Sequence, residues 1–580
     1  MNQLLDEAHT LRERALTHAR HGRWSEALAE ANQAVSLYRP LAQQKQPAAM
    51  AGLAYSLELC ANLFSEAGGR SVALCAAEEA LALRHLLTAE GSESAEADLG
   101  FSLNIFASCL GDLDRCADAL VPAREAVEIY RRLAARTPQQ FMPALAMTLS
   151  NLGNRLSDLG VRQEAAVIAD EAVSHYRTLS RLAPEIFTAD LAGALNNLAN
   201  RLSALGRREE ALAIMREAVT FYEQLSHTQR AVFAPVLATA RNNLANKLTD
   251  LGLREEALAV AQTSVEQFVL LADRDPRSFT PQLAMALNTL SNRLRDVGRR
   301  EEALAKAEES VRLRRALAEC EPERFLRDLA VSLNTLANGL SALNRVVEAL
   351  EAAEESVVIR RRLAQSRPDI FTPDLAASLN TLANSLAANG RFEEALCAAE
   401  EAVSLRRPLA MAYPDVYLPN LAGSLNTLAN RLSDLERDAE ALAAAEEATL
   451  LYRRLAERRP DAFTHHLAGS LNNHANRLRR LDRLEAALGL AREASALFRS
   501  LADRQPRRFT ADLASALNTL ANILLLQNKG EEAAAAFDLY RLLAGAHTQV
   551  FNPDHITLLN QMTEMKEVLP TNRMEWQDSE

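Results

Sequence analysis

The sequence predicts an all-α fold, a right-handed superhelical α-solenoid of about twelve 46-residue helix-turn-helix repeats. Three observations predict it. First, the chain resembles itself: LAGALNNLANRLSALGRREEALAIMREAVTFY from Leu191 returns as LAASLNTLANSLAANGRFEEALCAAEEAVSLR from Leu375, 184 residues or four times 46 further on. Second, apolar residues at Leu191, Leu195, Leu198, Leu202 and Leu205, then at Leu212, Met215, Val219 and Tyr222, keep the i, i+3, i+4 spacing of two helices. Third, 48% of the 580 residues are hydrophobic but only 5% are aromatic, and the 20 Gly and 19 Pro are spread evenly. That composition favours helices and leaves no linker to divide the length into about four globular domains.

Stepping by 46 from Gly22 reaches Gly68, Asp114, Gly160, Gly206, Gly252, Gly298, Asn344, Gly390, Glu436, Asp482 and Asn528. All but Glu436 accept the left-handed conformation that closes a helix C-terminus. Five residues later every unit has Ala, from Ala27 and Ala73 to Ala487 and Ala533, and seven residues before the landmark every unit is small, as at Ala15, Gly153, Ala199, Ser291 and Ala521. Two helices therefore cross there too closely for larger side chains. The entrance to the first helix recurs as P-x-x-F-T-P-D-L, as in Pro368 to Leu375. Thr372 reads as its N-cap, Pro373 as the first helical residue and Asp374 as a favourable first-turn charge. The ring before it, from Phe141 and Phe187 to Phe509 and Phe551, reads as a staple between hairpins. Pro40, Pro122 and Pro408 are expected to kink or end second helices.

With these residues placed, the chain resembles the tetratricopeptide repeat family, with its small residues at Ala199, Ala211 and Ala218 and its turn glycine at Gly206. The Leu195–Ala199 run L-N-N-L-A is most similar to kinesin-light-chain-type repeats. The standard repeat has about 34 residues, so the extra length is expected in the second helix and the return loop. HEAT and armadillo repeats are closer in length but lack this Gly/Ala register. One solenoid is expected over residues 1–569, capped by the first repeat and by a last helix near Pro553 to Leu569, with residues 570–580 a disordered tail.

Asn recurs at one first-helix position in nine units (Asn104, Asn196, Asn242, Asn288, Asn334, Asn380, Asn426, Asn472, Asn518). It recurs four residues later in ten (Asn62, Asn154, Asn200, Asn246, Asn292, Asn338, Asn384, Asn430, Asn476, Asn522). The spacing puts both on one stripe. An amide that donates and accepts can grip a peptide backbone, or it can bridge adjacent repeats. The resemblance implies that these positions line a concave, peptide-binding groove. Beside them runs a broken basic row, Arg155, Arg201, Lys247, Arg293, Arg431 and Arg477, interrupted at Gly339 and Ser385. It offers partners for an acidic ligand or for acids of neighbouring hairpins. Glu-Glu at second-helix starts and Arg-Arg at ends such as Arg314, Arg315 and Arg360, Arg361 complement the helix dipoles and read as a solvated outer face.

The composition excludes several classes. With 64 basic against 76 acidic residues and no basic run, nucleic acid is not an expected partner. No secretory pattern opens the chain and no stretch approaches about 18 uninterrupted apolar residues, so neither secretion nor a membrane is expected. The six cysteines contain no C-x-x-C and read as reduced structural thiols of a cytoplasmic protein. No metal-ligand spacing, phosphate loop or nucleophile elbow occurs, so no metal, cofactor or enzyme activity is expected. His465 and His466 replace the usual Pro-Asp, and His474 takes a normally apolar place. The leading expectation is a non-catalytic scaffold for a protein or peptide partner across units four to eleven. The alternatives are a regulatory subunit of a separate effector, such as a caspase-like protease or signalling ATPase, and a self-assembling structural protein. Partner identity and oligomeric state are not legible.

Overall fold

The computed structural model describes residues 2–546 apart from 22, 89–91 and 114. Among these residues twenty-four α-helices, from Asn2–Arg20 to Gly530–Ala546, pair into twelve hairpins without a strand. They form two compact units, one ending at Leu205 and one beginning at Gly206. The landmarks Gly22 and Asp114, the ring Phe551, the expected closing helix at Pro553–Leu569 and the 570–580 tail lie outside the described residues.

Repeat length is taken up by helix. Pro368–Ala388 and Phe392–Ala412 each have 21 residues, three residues join them, and Tyr413 alone leads to the next first helix at Pro414. The expected long second helix and long return loop are therefore corrected: both helices are lengthened and the return is a single residue. The first helix also starts earlier than expected. Pro368, not Pro373, takes the first helical position, and Arg367 precedes it without a side-chain cap. Thr372 is already inside the helix, its hydroxyl donating to the Pro368 carbonyl at 2.6 Å. Thr188, Thr464 and Thr510 repeat that bond. A proline with fixed φ costs no hydrogen bond at the first position, and the one-residue connection leaves no room for a later start. Pro40, Pro122 and Pro408 all sit inside their helices and end none of them.

The turn landmarks are left-handed, with φ of 74 to 82° at Gly68, Gly160, Gly206, Gly252, Gly298 and Gly390 and 56 to 59° at Asn344, Glu436, Asp482 and Asn528. Glu436 is the costly one, because a side chain with no local hydrogen bond to offer is strained by about 1 kcal/mol there. Glu436→Gly is expected to stabilise the chain by about that amount, seen as a higher thermal midpoint by circular dichroism. A lower midpoint would contradict this.

The small rows meet as expected. Ala199, Ala211, Ala383 and Ala395 are wholly buried, and Ser291 fits its crossing by donating to the Ala303 carbonyl at 2.7 Å. Around them Leu, Val and Phe fill a core that continues from hairpin to hairpin. Phe141, Phe325, Phe371, Phe463 and Phe509 are buried, and they lie in the first turn of their helices. Arg508–Leu526 is long and apolar enough to cross a membrane by length and composition, yet its Leu513, Leu517, Ala521 and Leu524 belong to the hairpin core.

First helices of neighbouring repeats pack on one another, as Pro138–Asp158 does on Pro184–Ala204 in the first unit and Pro322–Ala342 on Pro368–Ala388 in the second. Second helices of neighbouring repeats stand farther apart and meet through ion pairs of long side chains such as Arg315 with Glu355. Each unit therefore curves with its first helices inside.

Candidate functional site

Both Asn rows lie on first helices, hence on the inner face. Members of the first row reach to the next repeat: Asn334 donates to Ser378 and Asn380 to Ser424, each at 2.9 Å, and Ser470 donates to Asn426 at 3.3 Å. In the first unit Asn151 donates to Asn104 at 3.0 Å. These bonds cross one repeat boundary each and hold register. The carbonyl oxygens of Asn242, Asn288, Asn334, Asn380 and Asn472 are buried without a hydrogen-bond partner. They form a row of unmatched acceptors.

The second row is joined to the basic row. Arg201 donates to Asn154 at 2.6 Å, to the Gly153 carbonyl at 3.3 Å and to the Asn197 carbonyl at 2.8 Å. Arg293 reaches Asn246 at 3.3 Å, Arg431 reaches Asn384 at 3.3 Å and Arg477 reaches Asn430 at 2.8 Å. Burial lowers the pKa of Arg201, Arg293, Arg431 and Arg477, as expected for cations removed from water. The expectation of acids from neighbouring hairpins holds only in part: Asp158 acts on Arg201, and Asp434 and Asp438 on Arg477, each from the preceding repeat. Arg155, Arg293 and Arg431 instead pair with a carboxylate of their own helix three residues on, Asp158, Asp296 and Asp434.

The gaps in the basic row have a direct consequence. Gly339 and Ser385 stand where an arginine would reach back to Asn292 and Asn338. Among the described residues neither of those side chains makes a hydrogen bond, and Asn338 is exposed. Asn200 makes none either. Asn476 instead donates to Thr519 at 3.2 Å. Lys247 is only 9% exposed and no hydrogen bond or ion pair reaches its ammonium among the described residues. Burial pulls its pKa down, opposed by Asp250.

The Arg-Arg pairs divide. Arg315, Arg361, Arg407 and Arg453 lie outside and pair with Glu355, Glu401, Glu447 and Glu493 of the next second helix, weak contacts at exposed sites. Arg314, Arg360 and Arg406 are buried, which overturns the placement of Arg314 and Arg360 on the solvated face. Arg360 reaches Asp374 at 2.5 Å, Arg406 the Asn420 carbonyl at 2.7 Å, and Arg314 the Asp328 carbonyl. The signal was in the 46-residue register: they stand in the column of Tyr130, Tyr176, Tyr222 and Tyr452. Burial pushes the Arg406 guanidinium down to about 10.

The histidines gather at one place on the second unit. His466 stacks on Tyr452 with centroids 5.4 Å apart, and His465 lies 3.9 Å from His466 and 5.8 Å from Phe509. They line a cavity of about 380 Å³ with Asn426, Asn472 and Asp512. Gly469 on its wall leaves open space where a side chain would stand. His474 is half-buried and 3.8 Å from Glu446. Of the six cysteines, Cys60 and Cys109 are buried thiols pushed up to about 12 by burial. Cys75, Cys320 and Cys397 are exposed rather than structural.

A family model described as tetratricopeptide repeat matches residues 145–180, 191–226, 283–319, 329–368, 375–407 and 421–461. The chain carries tetratricopeptide repeats. Tetratricopeptide repeats commonly mediate protein–protein interactions. Similar solved structures include BtubC (BKLC) from P. vanneervenii, 20% identical over 44% of this chain and 94% of that one, with a TM-score of 0.35. A putative kinesin light chain of Podosopora anserina with nearly identical TPR-like repeats is 19% identical over 38% and 95%, with a TM-score of 0.31. Yeast Tom70 is 14% identical over 97% and 96%, with a TM-score of 0.37. No curated protein matches the sequence.

Proposed function

We propose that this tetratricopeptide-repeat chain is a non-catalytic cytoplasmic scaffold that binds an extended peptide or protein segment along the inner face of its first helices. The observation that carries this reading is the pair of uncommitted amides at Asn292 and Asn338, left on that face by the gaps at Gly339 and Ser385. Each amide offers an acceptor and two donors, enough to pair with the N–H and C=O of a peptide whatever its side chains. The unmatched carbonyls of Asn288, Asn334 and Asn380 flank them as further acceptors. Lys247 adds a cation for an acidic residue or a terminal carboxylate. Arg201, Arg293, Arg431 and Arg477, with the amides they hold, keep the repeats in register and shape the face.

The test is affinity purification with mass spectrometry from the native cell, comparing wild type with Asn292→Ala/Asn338→Ala. Because neither amide holds a neighbouring repeat, circular dichroism is expected to find the variant as folded as wild type. Two lost hydrogen bonds of about 0.7 kcal/mol each weaken binding by about tenfold, so a wild-type partner is expected to fall away. A partner retained at the wild-type level would move recognition to the outer face.

A further inference from the structure

The second unit touches itself where the repeat period alone does not require it. A Cβ added to Gly206 would lie 2.8 Å from the Ala462 Cβ, and one added to Gly252 would lie 3.0 Å from the Arg508 Cβ. Arg508 also donates from Nη1 to the carbonyl of Asp250. In both contacts the partners are 256 residues apart, about five and a half repeats. On one side stands the turn between the two helices of a hairpin. On the other stands the first turn of a first helix, Pro460–Arg480 or Pro506–Leu526. These are opposite edges of a stack of hairpins, and opposite edges meet when the stack has completed one full turn.

The contact is narrow and carries its own opposition. Arg208 and Arg254 follow the two glycines by two residues, and both act on Arg508. Burial, then Arg208, pushes the Arg508 guanidinium down to about 10, with Asp250 and Asp512 opposing. Three guanidiniums drawn toward one seam make it closable yet easily parted. The first helices, with their Asn rows, are on the inside of the turn.

We propose that the second unit closes edge to edge around its own groove, so that the groove takes an extended, unfolded peptide segment and is shut to a folded domain until the seam parts. This rests on the inner face being the binding face.

The test exploits the turn chemistry. Asn344 and Asn528 show that Asn is accepted in the left-handed turn, so Gly206→Asn/Gly252→Asn wedges the seam while keeping both turns. Gly390→Asn is the control, because nothing lies within 4 Å of a Cβ there. All variants are first compared by circular dichroism. Small-angle X-ray scattering is expected to give a longer maximum dimension for the wedged pair and an unchanged one for the control. Asn338→Cys is then placed in each background and labelled with N-ethylmaleimide or with a polyethylene-glycol maleimide the size of a small folded domain. Peptide mapping separates position 338 from the exposed Cys75, Cys320 and Cys397. The small reagent is expected to react in all backgrounds and the large one only in the wedged pair. Equal dimensions in the wedged pair and the control, or equal reaction of the large reagent in all backgrounds, would overturn the proposal. Neither readout needs a binding partner, so this outcome is separate from loss of partner in Asn292→Ala/Asn338→Ala.

Discussion

Ala395→Leu is expected to destabilise the chain by about 3 kcal/mol or more, the upper range for overpacking a tight core. Ala395 is wholly buried where Pro368–Ala388 crosses Phe392–Ala412, among Leu379, Ala383, Leu386 and Ala399. Every repeat keeps Ala at this place, and three added carbons have nowhere to go without parting two backbones. Because a stacked repeat contacts only its neighbours, one damaged hairpin uncouples those on either side. Thermal and denaturant melts are expected to change from one cooperative transition to two. Ala388→Leu, at an exposed position of the same hairpin, is expected to leave the melt within about 0.5 kcal/mol of wild type. A single, unshifted transition in Ala395→Leu would contradict the crossing as the source of the small-residue rows.

The second large effect is in the first unit. Glu58 stands where nine repeats have Asn, and Arg84 where others have Tyr. They form a buried pair, Arg84 Nε to Glu58 at 3.0 Å and Nη2 at 3.2 Å, with Asp98 at 2.7 Å and a further bond from Ser102. Their side chains are 2% and 5% exposed. Removing the Glu58 charge leaves the buried Arg84 with only the half-exposed Asp98 as its partner, so Glu58→Ala is expected to cost about 3 kcal/mol. Glu58→Asn/Arg84→Tyr, which installs the pair of types used by the repeats around Asn196 and Tyr222, is expected to recover most of it. Burial holds the Glu58 carboxyl above its ordinary 4.5 even though Arg84 and Ser102 pull it down. A raised folded-state pKa means that the contribution of this carboxyl is full below 4.5 and is lost as pH rises through the folded value. Wild type is therefore expected to lose some stability across that window, and Glu58→Ala to lack that loss. A double variant no better than Glu58→Ala would contradict the reading of the pair as a self-contained substitution in the repeat.

The hairpin architecture was legible because its causes are local and repeated. Small residues at Ala199 and Ala211 mark a helix crossing, and Gly206 marks a left-handed turn; both are fixed by sterics that sequence reveals directly. Helix starts were less legible because Pro368 and Pro373 compete for one role, and the winner is set by the single-residue return from the preceding hairpin. The candidate site was legible only in part. The Asn and Arg positions on the inner face followed from register, but their partners come from the next repeat, so the sequence could not say that Arg201 and Arg477 are committed to amides while Asn292 and Asn338 are left free. The buried Arg314 and Arg360 looked like dipole partners because charge suggests solvent, although their Tyr column placed them inside. The contacts of Gly206 with Ala462 and Gly252 with Arg508 had no sequence signal, since they depend on curvature summed over five and a half repeats.

The most direct test of peptide recognition on the inner face is site-specific photo-crosslinking to the partner captured from the native cell. A photoreactive residue is placed either at Asn338 on a first helix or at Glu351, exposed on the second helix Val346–Ser366. Crosslinks to an extended segment of the partner from position 338, with none from position 351, are expected. Crosslinks from position 351 alone would place binding on the outer face and contradict the proposed scaffold mechanism.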